Sequence, residues 1–400
     1  MRAYFIGLVA AAFLFGCTSN EERTERRVEA LHHKMLTIDT HCDTPMRLTR
    51  NGFDLGIKNE KGCVDFPRMK EGGLDAEFLA VFTGQGPRNA EAYENEFNKA
   101  LITFDSIKSN VNRYPQLAGL AYTADDAYRL KEEGRIAAFI GVENGYPIGL
   151  DISKVKQLYD LGARYITLCH SSNNDICDSS TDPAGPEFHG LSPFGESVVK
   201  EMNRLGMIID VSHMSDESFY DVLKLTKTPV IASHSSCRAL CESPRNLNDD
   251  MLQALKANGG VIQICLLSEY LKQPEPNPEF DAKVKELKDK WGQMKDLTDE
   301  QKEQAWSEFS ALEEKYVDMA KVSDAVNHIQ HVVDVIGIDY VGIGSDFDGG
   351  GGIEGCHDVS EMKNITRELI KRGYSNDDIT KIWGGNFMRV MRAVEQAKEN

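Results

Sequence analysis

Positive charge is scarce in this sequence. Lys and Arg total 45 against 63 Asp and Glu, a formal net charge of −18 over 400 residues. That balance argues against a nucleic-acid surface and against a polybasic membrane contact. There is no internal repeat and no low-complexity tract, which excludes solenoid and propeller arrays. The apolar run from Ala3 to Phe15 is too short to span a bilayer comfortably. What is present is a hydrophobic content of 41%, enough for a large core. The length suits a (β/α)8 barrel, a fold that routinely reaches this size.

The short apolar run follows Arg2 and reads as a signal-peptide core. It ends in "LFGC", where Leu14, Gly16 and Cys17 resemble the bacterial lipoprotein cleavage box; Phe15 is bulkier than that box usually carries. The expectation is an exported chain: a signal over 1–17, lipidation at Cys17, a polar tether over 18–30 and a catalytic barrel over 31–400. Several acyl chains on one Cys anchor stably where one does not. Eight cysteines remain after Cys17. Export permits disulfides among them, and burial as free thiols is the alternative for those in apolar runs.

Short apolar, β-branched runs alternate with helical spacing. They are "LTIDTH", "LDAEFLAVF", "RIAAFIGVE", "RYITLCH", "GMIIDVSH", "PVIASH", "GGVIQIC" and "DYVGIGSD". Eight alternations imply a (β/α)8 barrel, although a doubly wound open sheet gives a similar pattern. The ends of the runs separate the two. They carry His41 and Asp43, then Glu143, His170, His213, His234 and Asp346. In a barrel the C-terminal strand ends meet at one mouth, so these seven groups would share a cavity.

Imidazole and carboxylate without thiolate suit Zn²⁺ or a similar divalent ion. Glu143 has two oxygens and can bridge two ions, one held by His41 and Asp43, the other by His213 and His234. Two ions about 4 Å apart share a hydroxide and lower its pKa toward ~7. Asp346 is then free as general acid/base.

The motifs "IDTHCDTP", "VDFPRMKEGGLDAEFLAVF", "GVENG", "LCHSSNN", "DVSHMS", "SHSSCRALCESPRNLNDDML" and "GIGSDFDG" resemble those of membrane dipeptidase (renal dipeptidase), peptidase family M19, among the metal-dependent amidohydrolase-like barrels. They span most of residues 36–390. The resemblance implies a dipeptide substrate and two Zn²⁺, with Glu143 bridging. It implies that His170 polarises the scissile carbonyl or stabilises its oxyanion, that Arg245 binds the substrate's C-terminal carboxylate, and that Asp346 handles the proton. Tyr270 is a candidate pocket residue. The Asn of "WGGNF" is expected to fix backbone in the last helix. Asn144 stands where the family more usually has Gly, which bears on loop shape beside Glu143.

Other features have plainer readings. His328 and His331 are expected to pack or hydrogen-bond, or to support the site from behind, rather than to ligate. His357 reads as a loop residue, and His32 and His33 as surface. Arg245 could alternatively pair with Asp249 or Asp250. "GGGG" at 349–352 lacks the context of a phosphate loop and reads as tightly turning backbone. Residues 268–320 form a charged helical excursion between the seventh and eighth strands, with Thr298 as a cap. It is either a wall over the mouth or a contact between two copies. Two rivals to the dipeptidase remain: another amide or ester hydrolase on the same barrel, and a lipoprotein that binds peptides without turnover. Cys17→Ser is expected to move the protein from the membrane fraction to the soluble fraction at unchanged specific activity. Unchanged fractionation would refute the lipid anchor.

Overall fold

The computed structural model describes residues 20–49, 52–273, 275–292 and 297–399. The expected signal segment over 1–17, with Cys17, lies outside them. Nine strands are present among the described residues: β1 (Ile38–Cys42), β2 (Ala76–Phe82), β3 (Ala118–Leu120), β4 (Ile136–Glu143), β5 (Ala163–Thr167), β6 (Ile208–Asp210), β7 (Ile231–Ser235), β8 (Val261–Ile264) and β9 (Val341–Ile343). All pair in parallel, in the order β1-β2-β4-β5-β6-β7-β8-β9. The ring closes where Asp346 N–H donates to the His41 carbonyl (3.0 Å) and Asp43 N–H to that of Phe347 (2.8 Å). This is the expected eight-stranded TIM-type barrel. β3 is additional and covers the first half of β4, whose second half pairs with β5. Its three residues, Ala-Gly-Leu, are too short to show a period.

Alternation along the strands divides two cores. Ile38, Phe78, Phe139, Tyr165, Ile208, Ile231 and Val261 fill the barrel floor, with Phe387 and Met391 from the last helix, Asn386–Gln396, packed among them. Asn386 fixes that helix, as expected: its amide donates to the carbonyls of Ile338 (2.7 Å) and Val341 (2.8 Å). The opposite faces of the strands pack on the helices. One of these, Pro193–Leu205, is capped by Ser192 and stopped by Gly206 at φ 69°, the left-handed conformation glycine favours.

Two expectations change, and one alternative is decided. The polar tether is a helix, Asn20–Lys34, docked on the barrel. Val28 and Leu31 form a buried stripe hidden among charges, and Arg27 donates to the Tyr374 carbonyl (2.7 Å). His32 is not on the surface. It is buried, with Nδ1 3.0 Å from the Gly73 carbonyl and Nε2 2.8 Å from Thr366 Oγ1; His33 is exposed, as read. The eight cysteines after Cys17 are all free thiols, seven of them buried. No helix among the described residues is long and apolar enough to cross a membrane.

The excursion is a helical hairpin, Pro278–Trp291 and Asp299–Tyr316, with Thr298 and Gln301 forming a reciprocal cap. Trp306, Ser310 and Glu313 recur on one helical face and line a cavity of about 210 Å³ together with Asp43, Met46 and Arg47. The hairpin therefore walls the mouth.

Ala76 and Phe78 face different surroundings from Glu77, which lies cross-strand from Asp39. Glu77 is 1% exposed and neither carboxyl oxygen has a hydrogen-bond partner. Burial, and then the neighbouring Asp39 carboxylate, push its pKa well above 4.5. The folded chain thus keeps a proton that the unfolded chain releases, so stability falls as pH rises past the ordinary carboxylate value. The slope is up to about 1.4 kcal/mol per pH unit. Glu77→Gln cannot ionise. It is expected to melt higher than the parent at pH 8, with the gap closing toward pH 4. Melting curves that shift in parallel at both pH values would contradict this.

Candidate metal centre

The strands deliver the seven groups to one place, but not by regular alternation. The β1 register shifts between Asp39 and Cys42, and the β7 register between Ala232 and Ser235. These irregularities re-aim His41 and His234 into the mouth. Asp43 lies just past the end of β1, so it meets His41 through the strand end rather than through a shared strand face. The strands are shorter than the sequence runs: His170, His213 and Asp346 each stand three residues beyond Thr167, Asp210 and Ile343. His213 (φ 71°) and Asp346 (φ 61°) adopt the left-handed conformation, which ends the ladder and turns each side chain inward. Such backbone is uncommon for residues other than Gly and concentrates at functional sites.

Glu143, the last residue of β4, is at the centre. Its Oε2 lies 3.6 Å from His41 Nε2. Its Oε1 lies 3.0 Å from His213 Nε2, 3.4 Å from His234 Nε2 and 3.7 Å from His170 Nε2. His41 Nε2 is also 4.0 Å from Asp43 Oδ2 and 4.0 Å from Asp346 Oδ1. His41, Glu143 and His234 form one group of mutually close donors, Glu143, His170 and His213 a second, and His41, Asp43 and Asp346 a third.

The crowding perturbs every group. Burial raises Asp346 to about 7, with the Glu143 charge adding to it. Burial and Glu143 likewise push Asp43 well above the usual range. Burial alone would lower His41, but the Glu143, Asp43 and Asp346 carboxylates outweigh it and hold the ring at about 10. Burial drives His213 well down and His234 to about 3, the latter also repelled by His41. Burial would raise Glu143, but the surrounding imidazoles hold it well below the usual value.

His41 Nε2, Asp43 Oδ1 and Glu143 Oε2 are buried without partners. His213 Nε2 and His234 Nε2 face each other at 2.9 Å. Buried polar atoms are ordinarily paired. Unpaired buried polar atoms gathered in one mouth, within groups of mutually close donors, fit divalent cations, and the nitrogen and oxygen donor set suits Zn²⁺.

The remaining candidates sort by their contacts. Arg245 is buried, with Nη2 donating to the His234 carbonyl (3.0 Å) and Nη1 to Ser235 Oγ (3.4 Å). Its Nε has no partner, and the guanidinium carbon lies 5.2 Å from the Tyr270 ring centroid. It makes no ion pair with Asp249 or Asp250 among the described residues; Asp249 instead meets His331 Nε2 at 2.7 Å. His328 is buried between the Cys237 N–H and the Leu271 carbonyl, each at 3.0 Å, and packs rather than ligates. His357 is exposed. Asn144 has φ 77°, a conformation natural to Gly that Asn tolerates, and its side chain ties Thr83 to Asn174. The glycines at 349–352 are a tight turn. A Cβ on Gly349 would stand 2.3 Å from both Asp43 Oδ2 and Asp346 Oδ1.

Sequence reasoning missed a layer behind these groups. Tyr165 Oη lies 2.8 Å from His41 Nδ1, Phe82 packs edge-on to His170, and Asp210 and Ser233 stand behind His234. Asp210 sits in "DVSH" and Ser233 directly precedes His234, so adjacency was the available signal.

A parallel barrel with buried His and carboxylate donors gathered at its C-terminal mouth suits a metal-dependent hydrolase. The sequence profile of the family described as Membrane dipeptidase (Peptidase family M19) matches residues 25–400. The dipeptidase verJ of Clonostachys rogersoniana is 38% identical over 372 residues, 90% of this chain and 84% of that protein. The crystal structure of the probable dipeptidase PvdM from Pseudomonas aeruginosa is 32% identical, superposes with a TM-score of 0.82, and covers 94% of this chain and 99% of that one. A metallo peptidase from Rhodobacter sphaeroides, solved with a phosphinate mimic of L-Ala-D-Ala, shares the fold at 22% identity (TM-score 0.73, 90% of this chain and 99% of that one). The chain belongs to peptidase family M19, the membrane dipeptidases, and is a metal-dependent dipeptidase of that family.

Glu143→Gln removes the charge that all the nearby imidazoles face. Metal affinity is expected to fall at least ~10-fold, the lower end of what loss of an outer partner alone costs. Elemental analysis after dialysis measures this; wild-type metal content in the variant would contradict it.

Proposed function

We propose that the chain is a zinc-dependent dipeptidase with two ions. His41, Asp43 and Glu143 would hold one, and Glu143, His213 and His234 the other. The observation that carries this is the two-sided contact of Glu143, with His41 on Oε2 and the His213 and His234 pair on Oε1. His170 is the most exposed of the four rings at 29%, against 0–7% for the others. That supports assigning it to the substrate carbonyl rather than to a metal. Bound cations would supply positive charge that acidifies water and polarises the scissile carbonyl.

The chain's own groups do the rest. Asp346, buried in the mouth with Oδ1 4.0 Å from His41 Nε2, would accept a proton from the attacking water and return it to the leaving amine nitrogen. Arg245 offers its unpaired Nε from a buried position beside His234. A guanidinium fork suits a carboxylate and stays charged. Holding the C-terminal carboxylate there would favour dipeptides over longer substrates. We also propose export with lipid anchoring at Cys17, supported by the "LFGC" stretch.

The test is kcat/KM for a dipeptide and its C-terminal amide with wild type, Arg245→Ala and Asp346→Asn. Wild type is expected to prefer the free acid by about 10–100-fold, the worth of a charged hydrogen bond. Arg245→Ala should lose that preference and Asp346→Asn should lose ~10²–10⁴-fold on both substrates. A zinc-loaded wild type that cleaves no dipeptide overturns the dipeptidase reading. Equal rates on acid and amide overturn the clamp.

A further inference from the structure

The mechanism leaves Asp210 and Ser233 unused, although both are fully buried directly behind His234. Asp210 Oδ1 accepts the backbone N–H groups of Ser212 (3.0 Å) and Ser233 (2.8 Å). Its Oδ2 accepts the hydroxyls of Thr167 and of Ser233, the latter at 2.6 Å. Four donors fill the four lone-pair directions of a carboxylate. Asp210 therefore only accepts, and the hydroxyl hydrogen of Ser233 is committed to it.

Ser233 Oγ also lies 2.7 Å from His234 Nδ1. With its one hydrogen engaged, the hydroxyl can only accept there. The ring hydrogen of His234 must then sit on Nδ1, which leaves the Nε2 lone pair facing Glu143 and His213. His213 has no comparable partner, since its Nδ1 is buried and unpaired. The two Nε2 atoms are 2.9 Å apart, too close for two bare lone pairs. Without a cation between them, His213 is the ring free to place its hydrogen on Nε2.

We propose that Asp210, acting through the Ser233 hydroxyl, is a positioning residue that locks His234 in its Nδ1–H tautomer, so that Nε2 is always presented to a divalent cation. The cation clause rests on His234 being a ligand; the tautomer lock does not. Partners behind a ligating imidazole fix its tautomer and strengthen it as a donor. Here the carboxylate works through an intervening hydroxyl, and only one of the facing rings is held.

The experiment is long-range ¹H–¹⁵N correlation of the ¹⁵N-histidine-labelled protein, first metal-free and then with Zn²⁺. His234 is identified by the signal lost in His234→Gln. Wild type is expected to show His234 as Nδ1–H in both states. In Asp210→Asn the amide can donate to Ser233 and release its hydroxyl hydrogen toward the ring, so His234 should shift to Nε2–H. In chelator competition, Ser233→Ala and Asp210→Asn are expected to weaken Zn²⁺ ~10–100-fold, and Ser233→Thr, which keeps the hydroxyl, to weaken it less than ~10-fold. An Nε2–H tautomer in metal-free wild type overturns the proposal, and this reading needs no variant to fold. Undiminished Zn²⁺ affinity in a folded Ser233→Ala also overturns it. A wild type with the expected tautomer that binds no Zn²⁺ upholds the lock and overturns the ligand reading instead.

Discussion

Glu143 is the group around which the site is built. It is a carboxylate taken out of water with four imidazoles about it, and it stays ionised because those rings hold it so. A buried charge is costly unless it is paired and hydrogen-bonded. The neighbouring carboxyls show the other side of the same constraint: with Glu143 ionised, Asp43 and Asp346 are driven toward neutrality. The barrel makes this possible locally. Gly141, two residues earlier on β4, leaves the space that the Tyr165 ring fills, and the Tyr165 hydroxyl reaches His41. One missing side chain on β4 thus positions a ring on β1.

The regular barrel and the irregular mouth have different duties. Below, straight alternation fills the floor with Phe78, Phe139 and Tyr165 and gives the strands a rigid base. Above, the regularity is interrupted, by register shifts in β1 and β7 and by left-handed residues that include Asn144, His213 and Asp346. Strained backbone of this kind costs of order 1–3 kcal/mol per residue and persists only where the surroundings over-determine it. The fixed hydrogen bonds of Asp210, Asp39 and the Gly-rich turn provide that support.

The residues flanking the cluster are held differently from the cluster itself. Arg245 is buried and stacked near Tyr270, yet keeps a donor unspent. His170 is the ring left nearest to solvent. The hairpin adds Trp306, Ser310 and Glu313 to the wall beside Asp43.

Much of this was legible in the chain itself. Eight apolar runs alternating with helical segments narrowed the fold to a barrel or a doubly wound sheet, and the residues at the run ends favoured the barrel. Ionisable residues at the ends of six of those runs determined that a metal-type cluster would gather at one mouth. Asn144, where the resembled family more usually has Gly, pointed to loop shape beside Glu143, and the structure places it at φ 77°. Other properties were decided only by the tertiary structure. Whether Val28 and Leu31 are a buried stripe or part of a tether depends on a surface hundreds of residues away. His32 is buried for the same reason. The aim of His41 and His234 came from register shifts, which depend on the partner strand and leave no local period. The accepting role of Ser233 toward His234 required knowing where Asp210 lies, 23 residues earlier in sequence. Local sequence dictates which way a chain tends to run and which residues it exposes on a face. Hydrogen-bond saturation is a property of everything that converges on an atom, and that is known only once the ring has closed.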